Sequence, residues 1–229
     1  MPLLSSIGSN PKLMKSDLQG EYITAPLHLA PSNLSGVNLC PWSDGCESPC
    51  LNTAGRGRMD SVQTARIHKS HLYLQDRKLF IKSVDAEIGN LNRKVKLMGK
   101  KLAIRLNATS DLLWERLAPD LFESYPDVQF YDYTKAPFDV RSTLPVNYYL
   151  TQSMGKSNNR SEREIKKFLD RGRNTAIVFD EIPYSYLGFQ VINGDNHDLR
   201  FTDPKGVIVG LTAKGKAKHD RDGFVVRMK

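Results

Sequence analysis

The chain has 229 residues, 40% of them hydrophobic and 25% charged, an ordinary composition for a soluble globular protein with one substantial core. No run of about 18 apolar residues occurs, which excludes a membrane-spanning helix, and MPLLSSIGSNPKLMKSD lacks the basic start and apolar centre of a secretory signal, so a cytoplasmic protein is expected. The formal charge of +8 permits a nucleic-acid or other anionic partner, although solvated lysines at 92–101 and 213–229 account equally well for the balance.

Residues 1–25 are rich in Ser, Pro and Gly without sustained periodicity and predict an irregular arm, leaving 26–229 as a single domain. A short strand is expected near Leu27 to Ala30, followed by a loop at 38–58 that holds every cysteine. DSVQTARIHKSHLYLQD then predicts a helix capped by Asp60 or Ser61. In the next segment Leu79, Val84, Ile88, Leu91 and Val95 recur at helical steps, so a second helix follows.

Beyond residue 100 the pattern changes to short apolar runs of strand type: 101–107, 128–133, 146–153, 174–180, 187–194 and 206–213. Helical stretches at 110–125 and 161–172 separate some of them, the second with Ser161 and Glu164 spaced as a capping box. Strands alternating with helices predict parallel βαβ units. The fold class expected is therefore α/β, as an incomplete or distorted (β/α) barrel of TIM-barrel type with an irregular N-terminal arm. A doubly wound nucleotide fold is disfavoured because no Gly-rich phosphate loop follows the first strand.

Cys40, Cys46 and Cys50 form a C-x5-C-x3-C pattern with Pro41, Gly45 and Pro49 to bend the loop. A structural zinc site wants four protein ligands, usually from paired knuckles, and none is present. Three thiolates without a fourth suit a 4Fe-4S cluster with three protein-bound irons and one iron open to a small molecule. Two other readings remain: zinc completed by a histidine (His28, His68 and His71 lie nearest in sequence) or an Asp, and unligated thiols. In LNTAGRGR, Arg56 and Arg58 could offset a cluster's negative charge or bind an anion, and a plain turn explains the same residues.

A three-cysteine loop after the first strand resembles that of radical S-adenosylmethionine enzymes. Those use C-x3-C-x2-C and a Gly-Gly-Glu stretch, and this sequence has neither. The likeness implies an iron–sulfur enzyme at most, with S-adenosylmethionine as a candidate guest that the missing stretch argues against.

On a barrel the ligand face is the carboxyl end of the strands. The polar residues expected there include Asn107, Asp111, Asp132, Tyr133, Lys135, Tyr149, Thr151, Ser153, Asp195, Asp198 and Lys214. Asp132, Lys135, Asp195 and Lys214 are the candidate catalytic residues, although loops are polar in any protein. CPWSDGCESPCLNTAGRGR, RLNATSDLLWE, FYDYTK, NYYLTQS and VINGDNHDLRFTDPKGVIVGLTAKGKAK together resemble a family of tailed-bacteriophage proteins, the gene product eighty-eight family. That resemblance implies iron–sulfur binding at the cysteine loop, with Asn107 and the residues Asp132 to Lys135 around it, in the cytoplasm of an infected bacterium; Asn107, Tyr133 and, from the loop reading above, Arg56 are the candidate cofactor-binding residues. The alternative is a nucleic-acid-binding replication or regulatory protein with a structural metal. The tyrosine and paired-histidine motif of rolling-circle nickases is not present, and nothing in the sequence defines an oligomeric state.

Overall fold

A computed structural model of the protein describes residues 2–7, 20–157 and 161–228. Eight strands form one open sheet in the order β1-β2-β3-β4-β5-β8-β7-β6. They are β1 (Tyr22–Pro26), β2 (Lys101–Arg105), β3 (Gln129–Thr134), β4 (Tyr148–Ser153), β5 (Thr175–Phe179), β6 (Ser185–Tyr186), β7 (Phe189–Asn193) and β8 (Ile208–Thr212). Among the described residues β6 pairs antiparallel with β7, and the other ladders between strands are parallel.

β1 lies five residues before the expected strand, inside the stretch expected to be irregular. Pro26 is compatible with it because β1 ends the sheet, and on its outer side the Pro26 carbonyl accepts from the Ser5 amide at 2.9 Å. The first residues are also fastened. The Leu3 and Leu4 amides each donate to a Glu87 carboxylate oxygen at 2.8 Å, and Lys69 Nζ donates to the Leu3 carbonyl at 2.6 Å. Both leucines are buried, since their side chains complete the main core. The remainder of the expected arm, residues 8–19, lies outside the described residues.

The connection from β1 to β2 carries the cysteine loop and then two helices, Asp60–Gln75 and Arg77–Leu97. Asp76 caps the second by accepting from the Leu79 amide at 2.9 Å. Its apolar stripe, Phe80, Val84, Ile88 and Val95, packs on Leu102, Ile104, Phe130 and Trp114, giving one face of the sheet its core. The helix expected over 110–125 divides into Trp114–Leu117 and Pro119–Ser124. Pro119 cannot donate a backbone hydrogen bond and opens the second piece at its first position. Glu162–Leu169 starts on Ser161 with the reciprocal capping box in place.

Of the hairpin β6–β7, β7 falls within the strand expected over 187–194, whereas β6 and the turn were not expected. The two-residue turn is Leu187 and Gly188, both at positive φ (50° and 81°). That is the backbone of the tight hairpin turn usually written Asn-Gly, and a leucine at the first position hides it.

Candidate functional site

The three thiols come from the loop that leaves the carboxyl end of β1. Backbone turns shape it: the Ser43 amide donates to the Cys40 carbonyl at 3.1 Å and the Cys46 amide to the Ser43 carbonyl at 2.7 Å. Asp44 ties it to the segment after β4, accepting from Ser157 N and Ser157 Oγ, both at 2.8 Å. Gly155 allows this approach, because a Cβ there would stand 2.2 Å from Asp44 Oδ2. On the other side Gly215 comes so close to the loop that a Cβ would lie 2.7 Å from the Thr53 carbonyl. Two distant parts of the chain therefore hold one loop in place.

Cys40, Cys46 and Cys50 are all part-buried and unpaired. Burial, then the negative charge of Cys46, Cys50 and Asp111, pushes the Cys40 thiol up to about 12, with Lys135 opposing. The Cys46 thiol is also raised by burial, and Lys135 is the charge that most counters this. The neighbouring sulfurs thus disfavour ionisation of Cys40 and Cys46, and Lys135 is the cation near them. Cys50 Sγ accepts from the Asn52 amide at 3.5 Å. The Asn52 side chain in turn accepts from Arg66, whose pKa is lowered by burial, with Cys50 opposing. Cys40 Sγ donates to the Thr109 carbonyl at 3.8 Å.

Among the described residues no three His, Cys, Asp or Glu side chains are drawn together closely enough to hold a metal ion. The donor set can still be tested against the group expected for it. One zinc with Zn–S bonds of about 2.3 Å demands tight convergence and a fourth protein ligand. A 4Fe-4S cube spreads its thiolates over separate irons and carries negative charge, which Lys135 and Arg66 are placed to offset. The histidines have other partners or positions. His28 Nδ1 faces Ser5 Oγ at 3.4 Å, and burial, then Arg66, Arg105 and Lys69, lowers its pKa to about 3. His71 Nε2 meets the Ser35 carbonyl at 3.0 Å, and His68 is exposed on the helix Asp60–Gln75.

The remaining predicted residues fall into three places. Lys135 is at the thiols: its amide donates to Asp111 Oδ2 at 2.8 Å, and its ammonium donates to Ser153 Oγ at 2.9 Å and lies 5.4 Å from the Phe224 ring centre. Asp195 and Lys214 pair with each other at 2.5 Å. Burial acts to raise the Asp195 pKa, and the Lys214 and Thr212 hydrogen bonds outweigh it and leave the carboxyl low. Neither residue is among the charges that act most on Cys40 or Cys46. Arg56 is exposed in the 3-10 turn Gly55–Arg58.

Asp132 and Asn107 are inside the protein. Asp132 is fully buried, accepting from the Asn107 amide at 2.9 Å and Tyr148 Oη at 3.0 Å. Strand alternation turns it, with Phe130 and Thr134, toward the helices rather than the opposite face. Asn107 spends its side chain on its own loop: Oδ1 accepts from Ser110 Oγ and the Leu112 amide, both at 2.9 Å, and Nδ2 donates to the Leu112 carbonyl at 2.8 Å. Tyr133 is on the other face, with its ring centre 5.1 Å from the Arg105 guanidinium.

Two buried ionic groups near these residues were not predicted. Arg141 forks onto Glu115 (2.9 and 2.7 Å) and reaches Asp111 at 3.2 Å. Arg105 donates to Asp198 Oδ2 at 2.8 Å, and Tyr131 Oη donates to the same oxygen at 3.2 Å. Arg105 had a signal, since a charge inside the apolar run KLAIRLN must be paired if the strand is central. Arg66 and Arg141, in polar segments, had none.

The profile of one protein family, gene product 88, matches residues 2–228. The chain belongs to the gene product 88 family, a phage family. No curated protein and no solved structure gives a match. Membership covers nearly the whole of this gene product 88 protein, so the cysteine loop, the sheet and the loops over its strand ends all lie within the family's own span. No helix of it, among the described residues, is long and apolar enough to cross a membrane.

Proposed function

We propose that this protein is a phage-encoded iron–sulfur protein that binds a 4Fe-4S cluster through Cys40, Cys46 and Cys50 and leaves one iron open to a small-molecule ligand. The observation that carries the reading is the placing of three part-buried thiols, the chain's full complement, on one loop beside Lys135 and the Asn52–Arg66 pair. Such a cluster supplies electron transfer and, at an open iron, a coordination position. The protein's part is to hold the loop, to offset charge through Lys135 and Arg66, and to shield the thiols from water. S-adenosylmethionine has no specific support as the guest. We read the sheet as an incomplete (β/α) barrel, because β1 to β5 add in one direction and right-handed crossovers then fall on one face. The cytoplasm of the infected cell, where thiols stay reduced, is the fitting compartment.

Protein purified without oxygen is expected to be brown and to contain about four irons and four sulfides per chain. In Cys46→Ala the iron should fall below about one per chain while the fold persists by circular dichroism. Colourless protein holding one zinc would remove the reading.

A second reading, contact with nucleic acid, is favoured by one surface feature. The Phe138 ring has Lys167, Arg171 and Arg173 around it at 5.7, 4.7 and 4.7 Å. Phosphate contacts release counterions, so affinity for single-stranded DNA should drop steeply with salt. The pair Lys167→Ala with Arg171→Ala should reduce the slope of log K against log salt by about two. Salt-independent affinity, or none, would count against this contact.

A further inference from the structure

On the face of the sheet away from the long helices, several side chains end in buried polar atoms that meet no hydrogen-bond partner among the described residues, Tyr149 Oη on β4 included. Four of these atoms are Arg105 Nε, Tyr133 Oη, Thr151 Oγ1 and Arg200 Nε. They are neighbours. Tyr133 and Thr151 stand in register on β3 and β4, and the Arg105 guanidinium at the end of β2 lies 5.1 Å from the Tyr133 ring centre. The turn Arg200–Thr202 packs against β3 and β4, and after burial Arg200 is the group that acts most on the Tyr133 hydroxyl.

Buried polar groups in folded proteins are nearly always satisfied, and each one left unmet carries a desolvation penalty. Four in one place is an arrangement that a self-contained core does not need. Two of the atoms are guanidinium N–H groups, which only donate, and the hydroxyls can donate as well. The set therefore asks for a guest rich in acceptor oxygens. The charges of the two arginines are already matched, Arg105 by Asp198 at 2.8 Å with Asp132 at 4.0 Å from its Nε, and Arg200 by Asp203 at 3.3 Å. Lys135 adds positive charge where it reaches Ser153, two residues beyond Thr151, and Arg66 adds more beside Cys50. Arg105, Tyr133 and Tyr149 are part-buried, so the place borders the surface although the unmet atoms themselves are covered.

We propose that Arg105, Tyr133, Thr151 and Arg200 form a binding site for a small oxyanion, a carboxylate or a phosphate group, at the carboxyl ends of β2 to β4. The site does not depend on the cysteine loop holding a cluster, and its test does not read iron.

The full-length protein is titrated calorimetrically with inorganic phosphate and, separately, with acetate, chloride holding the ionic strength constant. Saturable binding of one anion per chain and a rise in Tm are expected with at least one of them. Phosphate alone assigns a phosphate group, acetate alone a carboxylate. Tyr133→Phe and Thr151→Val each delete an unmet hydroxyl, so without anion their Tm should equal or exceed that of the parent. Their anion affinity should fall by about fivefold each. The proposal is overturned if neither anion binds, if chloride raises Tm as much, or if both variants bind like the parent.

Discussion

Arg141→Ala is expected to cost about 3–5 kcal/mol, the largest loss of any single substitution considered for this protein. The side chain is fully buried and holds Glu115 by two parallel bonds, Asp111 by a third, and Tyr148 Oη at 3.0 Å. Removing it leaves two carboxylates in a low-dielectric interior without a counter-charge, and that penalty dominates the effect. A domain of this size has about 5–15 kcal/mol to lose. Urea denaturation should show a much lower midpoint with little change in slope. Arg141→Lys should recover only part of the loss, because an ammonium cannot grip Glu115 through two parallel bonds. Asp111 also accepts from the Lys135 amide, so the damage should reach the lysine that faces the thiols. A loss under about 1 kcal/mol would show that the pairing contributes no more than a surface ion pair.

Asp132 should make stability fall as pH rises from about 4 to about 7. Burial raises its pKa from 3.8 to about 7, against the opposing pull of Arg105 and of the Asn107 and Tyr148 hydrogen bonds. A carboxyl with a folded value above its unfolded one takes up a proton on folding within that window. It therefore favours the fold at low pH, progressively loses that contribution between the two values, and is a constant burden above the upper one. A rise of about three units corresponds to about 4 kcal/mol. Asp132→Asn keeps an acceptor for the Asn107 amide and cannot ionise. It should be more stable than the parent at pH 8, about equal at pH 4, and lack this part of the pH dependence. Denaturant midpoints measured from pH 4 to pH 9 on both proteins decide the point; parallel profiles would mean that Asp132 stays ionised throughout.

The elements that could be read from the chain are those whose signal is local. The stripe Phe80, Val84, Ile88 and Val95 marks its helix by spacing, Ser161 and Glu164 mark another by their reciprocal cap, and β2 to β5 stand out as apolar runs between polar stretches. What escaped was set by partners far away in sequence. β1 extends back to Tyr22 because β2 is there to pair with it, and Leu3 and Leu4 are ordered by Glu87 and Lys69. The site divides in the same way. Lys135 reaches the thiols and Asp132 does not, although both close the run FYDYTK. Alternation says that Asp132 and Tyr133 face opposite ways, and only the packed sheet decides which way is outward.

By itself the sequence determined that three thiols share one short loop, that strands alternate with helices, and that no stretch is long and apolar enough for a membrane-spanning helix. Tertiary structure alone decided which charges stand beside those thiols: Lys135 from the end of β3, Arg66 from a helix, and Asp111 held by Arg141. The physical reason is that spacing encodes periodicity and local turns. A buried charge is positioned by desolvation and by counter-charges contributed from strands and loops that the chain order does not reveal.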